Sequence, residues 1–294
     1  MTSNPLSHCA DKGLSFFIFI CILKKNPASR LLMNRTPVPS TVPSNVVSIL
    51  GQGQCEKKTI HLNIINGPNN AGKTTLVKGL GILGVVTLTT SDLLRKAVAE
   101  NDRDSVVIDE CLTQSKLAPC EIAVRLVLAA LREVLLDPAN KVLMIALDGI
   151  GRSAQQMRMM ADGIQELQKE LTGLGNNAKL EVSAVHMRLS LLHVKRRVQQ
   201  RIADAKELGQ PPRPEDQEGV WQQRFKDWRG YEPLILKAAE ECFGDVHVVN
   251  MAKIETPRLA ATLYCNVHAD GVEDRLELHV KTELERRKAL ARSA

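Results

Sequence analysis

The chain has 294 residues, of which 44% are hydrophobic and 24% charged, with a formal net charge of +6. These proportions fit one large or two modest soluble domains and exclude a mostly disordered chain. No apolar run approaches the roughly 18–20 residues of a spanning helix, so no stable membrane span is expected. Aromatic residues make up only 3%, so the core must be built from Leu, Val, Ile and Ala. The seven cysteines, at 9, 21, 55, 111, 120, 242 and 265, form no CxxC pair and no His/Cys cluster. That pattern suits neither a disulfide framework nor a zinc site and points to a reducing, cytoplasmic compartment. The positive balance suits an anionic ligand without calling for nucleic acid.

Residues 1–58 read as a leader and linker. The run Leu14–Leu23 (LSFFIFICIL), flanked by lysines, weakly resembles a signal core but lacks a clear cleavage site, and a buried or misfolded extension fits as well. Met33 then opens a Pro/Ser/Val stretch, and translation starting there is an open alternative. From Thr59 the pattern changes. Short β-rich runs fall at 59–65, 85–88, 142–147, 180–185 and 246–249, and Val106–Asp109 also looks strand-like by propensity. Helical patterns fall at 73–83, 119–136, 153–172, 189–208 and 214–241. Trp221, Trp228 and Tyr231 are expected to pack the core, and the seven histidines form no constellation. Strands alternating with helices predict an α/β fold: a parallel sheet with helices on both faces, spanning 59–268. The tail, 269–294, reads as a charged helix with a solvated face.

The strongest local signal is Gly67-Pro-Asn69-Asn70-Ala71-Gly72-Lys73-Thr74, a GxxxxGK[ST] P-loop set between a strand and a helix and followed by Thr75. Glycines let backbone N–H groups converge on phosphate oxygens, and the helix presents its positive end. Lys73 reaches the β- and γ-phosphates as a point charge, and Thr74 supplies a hydroxyl to Mg²⁺. A Mg²⁺-bound nucleoside triphosphate is therefore the expected ligand. Asp148 closes an apolar strand beside Gly149, which puts its carboxylate at the sheet edge as a second Mg²⁺ partner.

Further motifs follow in order: Thr90-Ser91-Asp92-Leu-Leu-Arg95, then Lys116–Ile122 (KLAPCEI), then Leu147-Asp148-Gly149-Ile150-Gly151-Arg152 with Gln156 four residues on. Arg197 and Arg201 share a helical face, and Arg213-Pro-Glu215-Asp216 precedes Arg224. This ordered set resembles the adenylate kinase family, with its P-loop, TGDLLR, KLVxDE, LDGFPRxxxQ, RxxxR and RxDD motifs, over about residues 59–250. The resemblance implies the P-loop NTPase three-layer sandwich with five parallel strands, a monophosphate-binding segment near 90–121 and a short lid near 202–213. It implies ATP with Mg²⁺, a nucleoside monophosphate acceptor with AMP preferred, and a monomer. Arg95 and Arg152 look like the clamps on the monophosphate, and Thr90 and Gln156 like the contacts to its base. Arg201, Arg213 and Arg224 look like the arginines converging on the transferred phosphoryl group. Arg197 looks like the residue that packs on the ATP base.

The pattern departs from the family in places. Ile150-Gly151 replaces Phe-Pro, and glycine is expected to leave the turn before Arg152 looser. Thr74 stands where the family usually has Gly, Ser91 where it has Gly, and Glu215 where it has Asp. These changes bear on substrate identity more than on fold. Two other readings stay open at this point: a P-loop kinase for another small acceptor, and a non-catalytic ATP-binding protein whose tails bind a partner.

Overall fold

The structure, a computed structural model, describes residues 58–114, 116–137, 142–176, 178–244, 246–268 and 272–293. The expected leader and the alternative start at Met33 lie outside the described residues.

Five strands, β1 (Thr59–Asn66), β2 (Val86–Thr89), β3 (Met144–Asp148), β4 (Lys179–Arg188) and β5 (Val246–Asn250), form one sheet in the order β2-β3-β1-β4-β5. Every pairing is parallel. The register sets Ile65 beside both Asp148 and Val185, so β1, β3 and β4 end together at one edge. β1 and β3 are central and buried on both faces, which explains their nearly unbroken apolar runs.

Helices cover both faces, giving the three-layer α/β sandwich. On one face lie α4 (Cys120–Leu136), α5 (Ala154–Gly173) and α7 (Val220–Phe243). They bury Leu131, Met157, Met160, Ile164, Leu167, Leu171 and Ile235 against Ile60, Leu62 and Ile64. In α5 the apolar stripe recurs at three and four residues, and Ser153 caps its start by accepting the Gln156 N–H at 3.1 Å. The other face carries α1 (Lys73–Ile82), α6 (Leu191–Glu207), α8 (Thr256–His268) and α9 (Glu273–Ser293), with Leu76, Leu80, Val194, Val198, Leu259 and Val280 inside. α2 (Thr90–Ala99) and α3 (Ser105–Thr113) form a smaller cluster around Ile108 with α4.

Several expectations are corrected. Val106–Asp109 is helical, within α3, and not a strand. Only Ile108 of this stretch is buried, while Val106 is 71% exposed. Its β propensity is overruled because the loop before it is pinned to α4: Arg125 donates to Asp102 Oδ2 at 3.1 Å and Asp104 Oδ2 at 3.0 Å. The helix expected from 214 starts at Val220, because a 3₁₀ turn at Pro214–Asp216 and Gly219, with φ of 87°, break it. Tyr231 is exposed and not in the core, whereas Trp221 is buried and Trp228 half-buried. α2 and α8 are helices the strand-and-helix reading did not mark. α9 is charged on most of its surface, but it also packs Val280 and Leu284 into the second core. It lies so close to α1 that a Cβ on Gly79 would stand 3.1 Å from Val280 Cγ1.

Candidate functional site

β1 ends in Asn66 and hands over directly to the P-loop. Gly67 has φ of 150°, and a Cβ there would lie 2.6 Å from the Met187 carbonyl oxygen. Only glycine lets the loop pass this close to β4. Lys73 opens α1, and its Nζ donates to the carbonyls of Gly67 and Pro68, each at 2.8 Å. The ammonium thus curls its own loop around itself. Burial, with help from the charge of Arg152 and against that of Asp148, pushes the Lys73 pKa down to about 8. An anion arriving in the loop would reverse that cost.

Arg197, on α6, braces the loop. Its Nη1 donates to the carbonyls of Asn70 and Ala71, and its Nη2 to that of Met251 at 3.3 Å. Asn70 adopts a φ of 65°, which asparagine tolerates better than most residues. Thr74 and Thr75 stand exposed at the start of α1, and Asn69 and Asn70 are partly exposed.

Asp148 ends β3 at the same edge. Its Oδ2 accepts from Thr74 Oγ1 at 3.3 Å, and its carbonyl accepts from the buried Thr90 Oγ1 at 3.0 Å. Burial raises the Asp148 pKa, while Lys73 and Arg152 pull the other way. Arg152 follows three residues beyond Gly149. Burial lowers its pKa; Asp148 supports its charge and Arg224, from α7, opposes it. The structure therefore brings Lys73, Thr74, Asp148, Thr90, Arg152, Gln156 and Arg197 to one sheet edge, with Arg224 near enough to act on Arg152.

The turn before Arg152 is not loose. Asn66 Nδ2 donates to the Gly151 carbonyl at 3.1 Å, and Gln156 Oε1 accepts the Arg152 N–H at 2.8 Å. Gly151 has φ of 77°, and a Cβ there would stand 2.5 Å from Met157 Cε. Two amide side chains thus fix what a proline ring would have fixed.

Three of the expected residues face carboxylates instead. Arg95 is 65% exposed and pairs with Asp92 on its own helix at 2.8 Å. Arg213 is exposed, 3.8 Å from Glu215. Arg201 is engaged by the buried Asp216, its Nε donating to Oδ2 at 2.7 Å and its Nη2 to Oδ1. Sequence reasoning missed Asn66, His186 and Glu232. His186, paired across β1 and β4 with Asn66, is buried, and its Nε2 meets Glu232 Oε1 at 2.8 Å. A histidine inside an apolar strand was the available signal.

No protein-family model matches the chain. Curated proteins do. A protein named adenylate kinase from Helicobacter pylori (strain G27) is 30% identical over 168 residues, 56% of this chain and 75% of that protein. One of the same name from Corynebacterium glutamicum (strain R) is 30% identical over 128 residues, 43% of this chain and 68% of that protein. One from Nitrobacter winogradskyi is 26% identical over 179 residues, 60% of this chain and 80% of that protein.

Proposed function

Because the chain belongs to the adenylate kinase family, we propose that this nucleotide kinase moves the γ-phosphoryl group of ATP onto AMP, giving two ADP. The observation that carries the reading is the meeting, at the edge where β1 and β3 end, of the loop-bound Lys73, the Thr74–Asp148 hydrogen bond and Arg152 held through its N–H by Gln156. Phosphoryl transfer needs alignment and positive charge more than covalent help from the protein.

In this reading Lys73 exchanges its two loop carbonyls for β- and γ-phosphate oxygens. Gly67, Asn69, Asn70, Ala71, Gly72, Thr74 and Thr75 supply the backbone and hydroxyl cradle, and Arg197 holds that cradle in shape while facing the nucleotide. Arg152 grips the monophosphate, with Arg224 completing the positive wall between donor and acceptor. Thr74 Oγ1 and Asp148 Oδ2 are hard oxygens 3.3 Å apart, a donor set that suits Mg²⁺ with its remaining waters. Bound there, the ion would supply positive charge to offset the negative charge of the phosphates. Gln156 spends its carbonyl on Arg152, so its Nε2, which makes no hydrogen bond among the described residues, is the part left for the acceptor base. Thr90 stands with Arg152 beside Gly149.

Arg95, Arg201 and Arg213 are paired with or lie near Asp92, Asp216 and Glu215, so the proposal has the segments 90–121 and 202–213 close over the substrates. Arg201 would then trade Asp216 for phosphate. Closure would also exclude water and suppress hydrolysis of ATP. Working as a cytoplasmic monomer is part of the same proposal; among the described residues no helix is long and apolar enough to cross a membrane.

The test is ADP formation from Mg·ATP with AMP, CMP, UMP, GMP or dAMP, with Lys73→Ala as the blank. AMP is expected to give the fastest turnover, and the Lys73 variant to lose about 10²–10³-fold. Equal turnover with every acceptor, or none with any, would overturn the AMP assignment.

A further inference from the structure

Beyond the P-loop cluster, we propose that a cavity beside the end of β4 is a second anion site, made for a phosphate ester. The cavity is about 410 Å³, within the range of small-molecule pockets. It is lined by Arg188, Arg229 and Lys237, by Glu232 and Glu240, and by Pro233 and Leu236. Arg229, Pro233, Leu236 and Glu240 recur at helical spacing, so one face of α7 forms one wall. Arg188 is the last residue of β4, and the carboxyl ends of parallel strands are where ligands of such sheets lodge.

The cationic wall is built around a single buried carboxylate. Glu232 has a side chain only 5% exposed and accepts from His186 Nε2 at 2.8 Å, from Arg188 Nε at 3.0 Å and from Arg229 Nη1. Burial works to raise its pKa, but those donors hold it below the usual carboxylate value, so it stays charged. Each arginine spends one nitrogen on Glu232. The other guanidinium N–H groups make no hydrogen bond among the described residues, and the two side chains remain 49% and 57% exposed. Two forks fixed in place, with donors to spare, lower the ordering cost of gripping a phosphate. Lys237 lies 3.8 Å from Glu241, a contact worth little in water, so its ammonium is available as well. Pro233 and Leu236 offer surface to an organic group, which inorganic phosphate would leave unused.

Trp228 stacks on His186 with ring centroids 5.8 Å apart, so it can report on events at Glu232. The chain has two tryptophans, and Trp221→Phe leaves Trp228 as the only one. In that full-length background, fluorescence would be titrated with inorganic phosphate and with ribose 5-phosphate against KCl of matched ionic strength. A saturable change is expected with both, at lower concentration for the ester. It should persist in Lys73→Ala, and weaken by about tenfold or more in Arg188→Gln/Arg229→Gln. If that double variant fails to fold, Lys237→Gln, which leaves Glu232 fully paired, should still weaken binding several-fold. A response no different from KCl, or one lost in Lys73→Ala but kept without the arginines, would overturn the site. Equal binding of phosphate and ester would overturn the assignment to an ester.

Discussion

Replacing Gln156 by methionine separates two roles for one side chain. The resemblance to adenylate kinases assigns Gln156 to the acceptor base, whereas its Oε1 is already taken by the Arg152 N–H at 2.8 Å. Methionine fills a similar volume in this buried position but cannot accept that bond. A lost hydrogen bond costs about 0.5–1.5 kcal/mol and a buried unpaired donor about 1–3 kcal/mol. Because the Arg152 N–H is only part-buried, about 1–2 kcal/mol is expected, measured by urea unfolding. At this chain length that corresponds to roughly 2–4 °C in Tm per kcal/mol. The freed turn also stops aiming Arg152. Misplacing a positioning group by about 1 Å can cost on the order of 10²-fold in rate, so kcat should fall as KM for the monophosphate rises. Gln156→Glu, which keeps an acceptor, should retain most of the stability. If Gln156→Met leaves stability and kcat unchanged and raises only KM, the side chain serves the base alone and the positioning argument fails.

Three further outcomes follow from the same geometry. Gly151→Pro restores the family residue, yet proline cannot adopt a φ of 77° and its ring carbons would collide with Met157, so soluble yield and activity should drop sharply; a fully active, stable variant would refute that backbone. Asp216→Ala strands the Arg201 guanidinium against a buried site and should cost about 3 kcal/mol in urea unfolding; a loss below about 1 kcal/mol would mean the pair is ordinary surface chemistry. Acidification should destabilise the protein through His186. Burial lowers its pKa against the pull of Glu232, so below the unfolded value of 6.5 the unfolded chain binds the proton more readily. Stability is thus lost as pH falls from 6.5 toward the folded pKa, and His186→Phe should flatten the pH 7 to 5 slope of unfolding free energy. An unchanged slope would remove His186 from the account.

The sequence by itself determined the α/β alternation, the P-loop and the order of its companion motifs. Those features are local: a strand, a glycine-rich turn and a helix read directly from Thr59 to Ile82, and Asp148 ends its apolar run in plain view. Lys73, Thr74 and Asp148 could be named for this reason. What only the tertiary structure decided depends on neighbours distant in the chain. Val106–Asp109 has strand-like residues, but Arg125 pins the loop ahead of it and the segment winds as a helix. Gly151 looked like a loosened turn until Asn66, 85 residues away, supplied the hydrogen bond that fixes it. The charged tail looked solvated until Val280 met Gly79 on α1. Arg201, Arg188 and Arg229 carry the same charge in the sequence, and their partners, Asp216 and Glu232, separate them. Spacing along a helix gives the face on which an arginine stands, but only packing chooses whether a buried carboxylate, a loop carbonyl or a phosphate answers it.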